Sequence, residues 1–308
     1  MGRTTPTLKF RSGPDGIHLF NRITGLNLLL DEIRAPATSW SVAPRQVSVA
    51  LTNLCDLSCA YCYAPKHRAR LDSARLCRWL DELDAEGCLG IGFGGGEPTL
   101  HPELPDLCRY AAENTGLAVT FTTHGQRLDM RLAADLKGQV HFVRISMDGV
   151  GDTYELLRGR PFRSLLSRFE IVRQLAPFGI NFVVNDRTFP DLDAAITLAS
   201  EVGAVEFLLI PEQPVRGRGG IDRHTAAALQ RWVSVYRGPI PLSVTEAGAD
   251  RMPTCNPMPG EKGLRAYAHI DASGVLKRSS YEDAGVPIGT DGVIAAIQVL
   301  ESTDGDER

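Results

Sequence analysis

The 308-residue chain has no apolar run approaching the roughly 20 residues that a membrane helix needs. Its opening, MGRTTPTLKF, has no apolar core of the kind a secretory signal carries. Pro6 stands where a myristoylation signal after Gly2 needs Ser or Thr. Charge of one sign is not in excess: 33 Lys and Arg oppose 37 Asp and Glu, a net charge of −4, so no global basic field points to nucleic acid. Repeats and low-complexity tracts are absent. At 43% hydrophobic and 23% charged, the composition is that of a globular chain and excludes the disordered and fibrous classes. The length suits one large α/β domain with an appendage, or two small domains.

Seven cysteines without an export signal do not point to disulfides, and cytoplasmic residence is the expectation. Cys55, Cys59 and Cys62 are tightly grouped; Cys77, Cys88, Cys108 and Cys255 are scattered. The grouping reads as metal ligation. Cys77 and Cys108 fall on apolar helix faces and Cys88 opens a strand, places where small thiols are core residues.

From about residue 46 a rhythm starts. Short apolar runs at 47–51, 89–93, 117–122, 140–145, 180–184 and 205–210 read as strands. Segments with helical spacing lie between them, carried by Leu76, Leu80 and Leu83, by Leu104, Leu107 and Ala111, and by Phe169 and Val172, with further helices at 191–202 and 223–237. Six such rounds predict a parallel sheet with right-handed crossovers, apolar on both faces. The fold class is α/β, a partial (β/α)6 TIM-type barrel, whose chemistry sits at the C-terminal strand ends. Residues 1–45 read as a β-hairpin-like extension, 46–238 as the barrel, and 239–308 as an appendage with a hairpin around Ala272-Ser273-Gly274 and a final helix in TDGVIAAIQVL.

LTNLCDLSCAYCYA, residues 51–64, follows the first barrel strand and spaces the trio C-x3-C-x2-C. A [4Fe–4S] cluster normally takes four cysteines, so three leave one iron open, as a catalytic metal site requires. A structural zinc site with Cys255 as fourth ligand is the alternative on spacing alone.

This loop resembles the cluster loop of the radical S-adenosylmethionine (radical SAM) superfamily, with Tyr61 at the aromatic position near the adenine. GFGGGEPTL is similar to the family's Gly-Gly-Glu-Pro segment through Gly95, Gly96, Glu97 and Pro98. Glycines let the backbone come close to a ligand, and a carboxylate can accept from the methionine ammonium. RISMDG resembles the Ser-x-Asp-Gly segment of the peptide-modifying and cofactor-building branches. The resemblance gives Ser146 and Asp148 to the ribose hydroxyls or the methionine carboxylate and Arg158 to that carboxylate, and Asn185 to the rim. LIPEQPVRGRG is similar to a segment flanking the adenine.

The resemblance implies one [4Fe–4S] cluster, S-adenosylmethionine, and an external electron donor such as a flavodoxin or ferredoxin. The substrate it implies is a ribosomally made peptide, or else a sugar, nucleotide or other small metabolite. A zinc-binding or degenerate barrel without activity is the reading of another class. Relatives with a SPASM/twitch-type appendage carry auxiliary-cluster cysteines; here Ser279 stands where the second is expected, which implies a single cluster. Cys255 is then either an inert thiol or a hydrogen-atom donor facing the substrate. His124, in TTHG where relatives have Asn, is either a turn residue or a contact to substrate or cofactor. Arg216, Arg218 and Arg223 form a basic group that either holds an anionic substrate or is solvated.

Overall fold

The computed structural model describes residues 7–303, apart from Arg216, Arg218, Cys255 and Pro257. It opens with a three-stranded antiparallel sheet, β1 (Leu8–Gly13), β2 (Gly16–Asn21) and β3 (Asn27–Leu30). The barrel follows as β4 (Gln46–Thr52), α1 (Ser73–Ala85), β5 (Gly90–Gly95), α2 (Leu104–Asn114), β6 (Ala118–Thr123), α3 (Met130–Leu136) and β7 (Phe142–Ser146). It continues as α4 (Asp152–Arg158), α5 (Phe162–Leu175), β8 (Phe178–Val184), α6 (Leu192–Glu201), β9 (Glu206–Pro211), α7 (Arg223–Val235) and β10 (Leu242–Val244). Strands β4 to β10 pair in parallel, each with the next in sequence. Asp72, Asp129 and Asp222 start α1, α3 and α7 by accepting from backbone N–H groups of the first turn.

The chain ends with β11 (Tyr267–Ile270), β12 (Val275–Lys277), β13 (Val286–Pro287) and α8 (Gly292–Ser302), which packs on α1. The sheet runs β10 through β4 and then β11-β12-β13, so its two edges do not meet and the barrel is partial. The hairpin expected around Gly274 is the β11–β12 turn, with Gly274 at φ +80°. β11 runs parallel to β4, Ala268 opposite Val47 and Ile270 opposite Val49, so this segment extends the barrel wall itself.

One expectation is corrected. The parallel strands are not apolar on both faces. Val47, Val49, Ile91, Phe93, Val119, Phe121, Val143 and Ile145 are fully buried under the helices. The alternate positions, Gln46, Ser48, Thr120, Thr122, Arg144, Ser146 and Asn181, are half-buried. The strands alternate because the open barrel keeps a polar, water-reachable inner wall. On that wall Ser48 Oγ lies 2.5 Å from Tyr267 Oη and 2.7 Å from His269 Nδ1, and burial pushes the His269 imidazole down to about 4.

The N-terminal sheet is tied to the barrel by cations. Arg11 donates from Nε to Glu261 Oε1 at 2.8 Å and from its Nη groups to the carbonyls of Ala43, Gly87 and Arg265. Arg22 reaches the carbonyls of Ala112, Thr115 and Leu117 at the end of α2, and Lys9 pairs with Asp84. Strand pairing puts Phe10, Leu19 and Leu28 in one row on the opposite face, where Phe10 is 62% exposed. The Arg11 and Glu261 side chains are 1% and 3% exposed. Breaking such a pair from one side costs about 3–5 kcal/mol because the other charge is left buried alone. Glu261 also accepts from Arg45 Nη1 at 3.1 Å, so it keeps one cation when Arg11 is lost. Arg11→Leu is therefore expected to fall below that range, at about 1–3 kcal/mol for the Nε bond and the three carbonyl contacts it removes, read by urea denaturation; a loss below ~0.5 kcal/mol would show that Arg45 alone suffices.

Candidate functional site

The loop 53–72 leaves the end of β4 and returns to it: Leu71 N donates to Leu51 O and Asn53 N to Ala69 O. Cys55, Cys59 and Cys62 stand on it half-buried and free of disulfides. Burial pushes the Cys55 thiol up to about 11, with the Glu97 charge adding to the effect. Burial also raises Cys59, against the opposing pull of the Arg158 guanidinium. A cation bound here would therefore displace protons.

The three thiols are not gathered on one point. Among the described residues, the set of three potential ligand atoms within 4.8 Å of one another is Cys55 with Asp56 and His124, not the cysteine trio. A mononuclear zinc with Zn–S bonds of about 2.3 Å needs its sulfurs closer together. A trio spread along one loop suits corners of a larger iron–sulfur cube.

Gly95 ends β5 against this loop and Gly96 follows it. Gly96 N donates to Thr52 O and Glu97 N to Leu54 O. A Cβ at Gly95, at φ +115°, would lie 2.3 Å from Thr52 O, and one at Gly96 would lie 2.2 Å from Leu54 O. Both glycines are thus required by the close approach of the cysteine loop's own backbone. Pro98 is buried in the short 3-10 turn that follows, which Glu97 caps.

Glu97 is 1% exposed. Its Oε1 accepts from Thr99 Oγ1 at 2.6 Å, Thr123 Oγ1 at 2.7 Å and Thr99 N at 3.2 Å, and Oε2 accepts from His124 N at 3.0 Å. The His124 ring is buried. Its Nδ1 accepts from Gln126 N, which places the proton on Nε2, and Nε2 lies 2.9 Å from Asp56 Oδ1 and 3.2 Å from Glu97 Oε2. His124 therefore sits at the turn after β6 and also bridges Glu97 to the cysteine loop. Burial opposes ionisation of Asp56, but the His124 contact, a backbone N–H and the Arg127 charge together outweigh it and hold the carboxyl below its ordinary range.

Asp148, fully buried just past β7, is the second hub. It accepts from Tyr61 Oη at 2.7 Å, from Val183 N at 2.8 Å and from Arg158 Nη2. Arg158 Nη1 donates to Cys59 Sγ at 3.7 Å. Burial and the Asp148 charge both raise the Tyr61 phenol, so it stays protonated and donates. Ser146 ends β7 half-buried on the inner wall, opposite Asn181 of β8. Asn185, just past β8, accepts from Arg187 N and Thr188 N and donates to Glu212 Oε2 at 2.7 Å.

All these residues stand on the C-terminal rim of the sheet. A cavity of about 60 Å³ lies beside them, lined in part by Asn53, Tyr63, Gly95, His269, Lys277 and Tyr281. Cys255, Arg216 and Arg218 lie outside the described residues; Arg223 starts α7, exposed. The sequence reading passed over Asp56, Thr99 and Thr123. The available signal was that Glu97 follows the end of β5 and Thr123 ends the neighbouring β6, which puts them on one rim.

An open parallel barrel with a cysteine-rich loop over its C-terminal rim is the architecture of a cofactor-dependent enzyme. Residues 49–196 match the family model described as the Radical SAM superfamily, and the chain carries a radical SAM domain, that of a superfamily of enzymes. The AdoMet-dependent heme synthase of Methanosarcina barkeri is 31% identical over 191 residues, 58% of this chain and 53% of that protein. The PqqA peptide cyclase of Ruegeria pomeroyi is 33% identical over 175 residues, 53% of this chain and 46% of that protein. The chain thus spans about half the length of the curated relatives it matches. Streptococcus suis SuiB bound to S-adenosylmethionine shares the fold with a TM-score of 0.70 at 14% identity, over 89% of this chain and 82% of that one. SuiB bound to its precursor peptide SuiA gives 0.70 at 13% identity, over 91% and 84%. Among the described residues no helix is long and apolar enough to cross a membrane.

Proposed function

We propose that the chain is a radical SAM enzyme in which Cys55, Cys59 and Cys62 hold one [4Fe–4S] cluster. S-adenosylmethionine lies beside it against Tyr61, Gly95, Gly96, Glu97, Pro98, Ser146, Asp148, Arg158 and Asn185. When bound, these cofactors supply a one-electron cleavage that yields methionine and a 5′-deoxyadenosyl radical able to take a hydrogen atom from the substrate. The observation that carries this reading is the placement of three free, spread thiols on the rim beside Glu97 and Asp148, within a radical SAM domain.

The chain's own residues do the placing. The Glu97–His124–Asp56 bridge fixes the cysteine loop on the ends of β5 and β6. Asp148 fixes Tyr61 and Arg158 from the next strand. Glu97 and Asp148 are buried, which keeps water out of the hydrogen bonds that make these braces. Ser279 supports the single-cluster reading: its Oγ accepts from Tyr281 N in an ordinary turn past β12. The electron comes from an external donor such as a flavodoxin or ferredoxin. Cys255 remains the candidate hydrogen-atom donor.

The substrate is a ribosomally made peptide. The fold shared with SuiB, solved with its precursor peptide, and the peptide cyclase among the relatives support this. The heme synthase favours a second reading, in which the same chemistry acts on a small metabolite.

Anaerobic reconstitution with iron and sulfide, followed by dithionite and S-adenosylmethionine, tests the chemistry. A brown protein that forms 5′-deoxyadenosine and methionine in equal amounts is expected; a colourless protein holding one zinc ion would overturn the reading. Stimulation of this reaction by a precursor peptide encoded beside the gene, with a mass change in that peptide, supports the peptide assignment. Stimulation by an iron tetrapyrrole alone overturns it.

A further inference from the structure

We propose that Arg158 is a positioning residue that sets the reduction potential of the cluster, because its guanidinium, locked by Asp148, donates a hydrogen bond to the sulfur of Cys59. This rests on the reading of Cys59 as a cluster ligand. The resemblance gives Arg158 to the methionine carboxylate, yet in the folded chain the guanidinium is already engaged. Nη2 is spent on Asp148 Oδ2, and Nη1 points at Cys59 Sγ from 3.7 Å. Nε is buried without a partner.

The geometry is held from several directions. Asp148 cannot swing away, since its Oδ1 accepts from the backbone N–H of Val183 in β8 and its Oδ2 from the Tyr61 phenol. The Arg158 guanidinium also lies 5.9 Å from the centre of the Tyr61 ring. Arg158 is the last residue of α4, and Gly159 closes that helix at φ +64° with its N–H on Glu155 O. The planar fork therefore offers one N–H to a carboxylate and another to a sulfur, a division that a lysine ammonium does not reproduce.

The physical effect follows from charge. Reduction adds an electron to the cluster. A cation and an N–H donor at a ligand sulfur stabilise that electron and raise the potential, and hydrogen bonds to the sulfurs are among the established levers on such potentials. The Arg158 side chain is 11% exposed, so water screens the effect little. Asp148 works against it as a nearby negative charge. The two residues are therefore expected to move the potential in opposite directions, whereas a purely structural brace between α4 and β7 would not move it at all.

The test is an EPR-monitored redox titration of the reconstituted holoenzyme, with iron and sulfide analysis of each variant. Arg158→Gln is expected to shift the midpoint to more negative potential and Asp148→Asn to more positive potential. Arg158→Lys, which keeps the charge and loses the fork, is expected to fall between Arg158→Gln and wild type. A fully loaded Arg158→Gln protein with the wild-type midpoint overturns the proposal. Should that variant fail to take up iron, unchanged midpoints in Arg158→Lys and Asp148→Asn overturn it equally. A wild-type protein that takes up no iron overturns the underlying reading and this proposal with it. A loaded wild type with unmoved variants removes only the role of Arg158.

Discussion

Serine at Cys55, Cys59 or Cys62, one position at a time, is expected to leave the reconstituted protein with little iron and no measurable 5′-deoxyadenosine. The hydroxyl is a far weaker ligand for iron than the thiolate. Loss of even an outer-shell partner costs about 10–100-fold in metal affinity or activity, so loss of a ligand is expected to cost at least ~100-fold. The described thiols offer no substitute at the rim: Cys88 and Cys108 are buried in the hydrophobic core. Cys77→Ser, half-buried on α1, is the control and should keep its iron. Iron per chain and product formation are measured together. A serine variant at any of the three positions that retained both would remove that cysteine from the ligand set.

Glu97→Gln is expected to produce the second large effect, and the hydrogen-bond pattern says why. The Thr99 and Thr123 hydroxyls can turn and accept from an amide, but the backbone N–H groups of Thr99 and His124 cannot. Whichever way the glutamine amide sits, its NH2 faces one fixed N–H, at Thr99 on the Oε1 side or at His124 on the Oε2 side. A buried donor left without a partner costs about 1–3 kcal/mol, which urea denaturation would register. Loss of the carboxylate charge also removes a charge-assisted bond to the methionine ammonium, worth about 1.5–3 kcal/mol in the proposed site. At 1.36 kcal/mol per factor of ten, that is about 10–100-fold in the rate of 5′-deoxyadenosine formation at low S-adenosylmethionine. An undiminished rate in a loaded protein would free Glu97 from any cofactor role and leave it a brace.

Much of the barrel was legible because its information is local. All six strands expected from the short apolar runs are present, as are the helices carried by Leu76, Leu104 and Phe169. What escaped was too short to show a period: α3 and α4 have seven residues each and β10 has three. The inner wall was misjudged for a different reason. Single polar residues such as Ser48 and Arg144, set between valines and isoleucines, look like interruptions of a buried run until the sheet is seen to curve around open space.

The candidate site divides in the same way. The cysteine spacing and the Gly-Gly-Glu-Pro segment are short and contiguous, and so could be quoted from the sequence. The bridge from His124 to Asp56 spans 68 positions and that from Arg158 to Cys59 spans 99, and no local pattern encodes either. Arg11 meets Glu261 across 250 positions, again with no local pattern to mark it.

The seam between β4 and β11 sets where the chain can be shortened. Gln46 to Val49 are matched along one side by Tyr267 to Ile270. Deleting everything beyond the last barrel helix would bare that row of backbone groups on a strand rich in β-branched residues. Such a selvedge invites strands from other molecules, so self-association would follow even if the remaining barrel kept its shape. The terminal hairpin is thus the hem that lets the protein stay dispersed, quite apart from anything it contributes to catalysis.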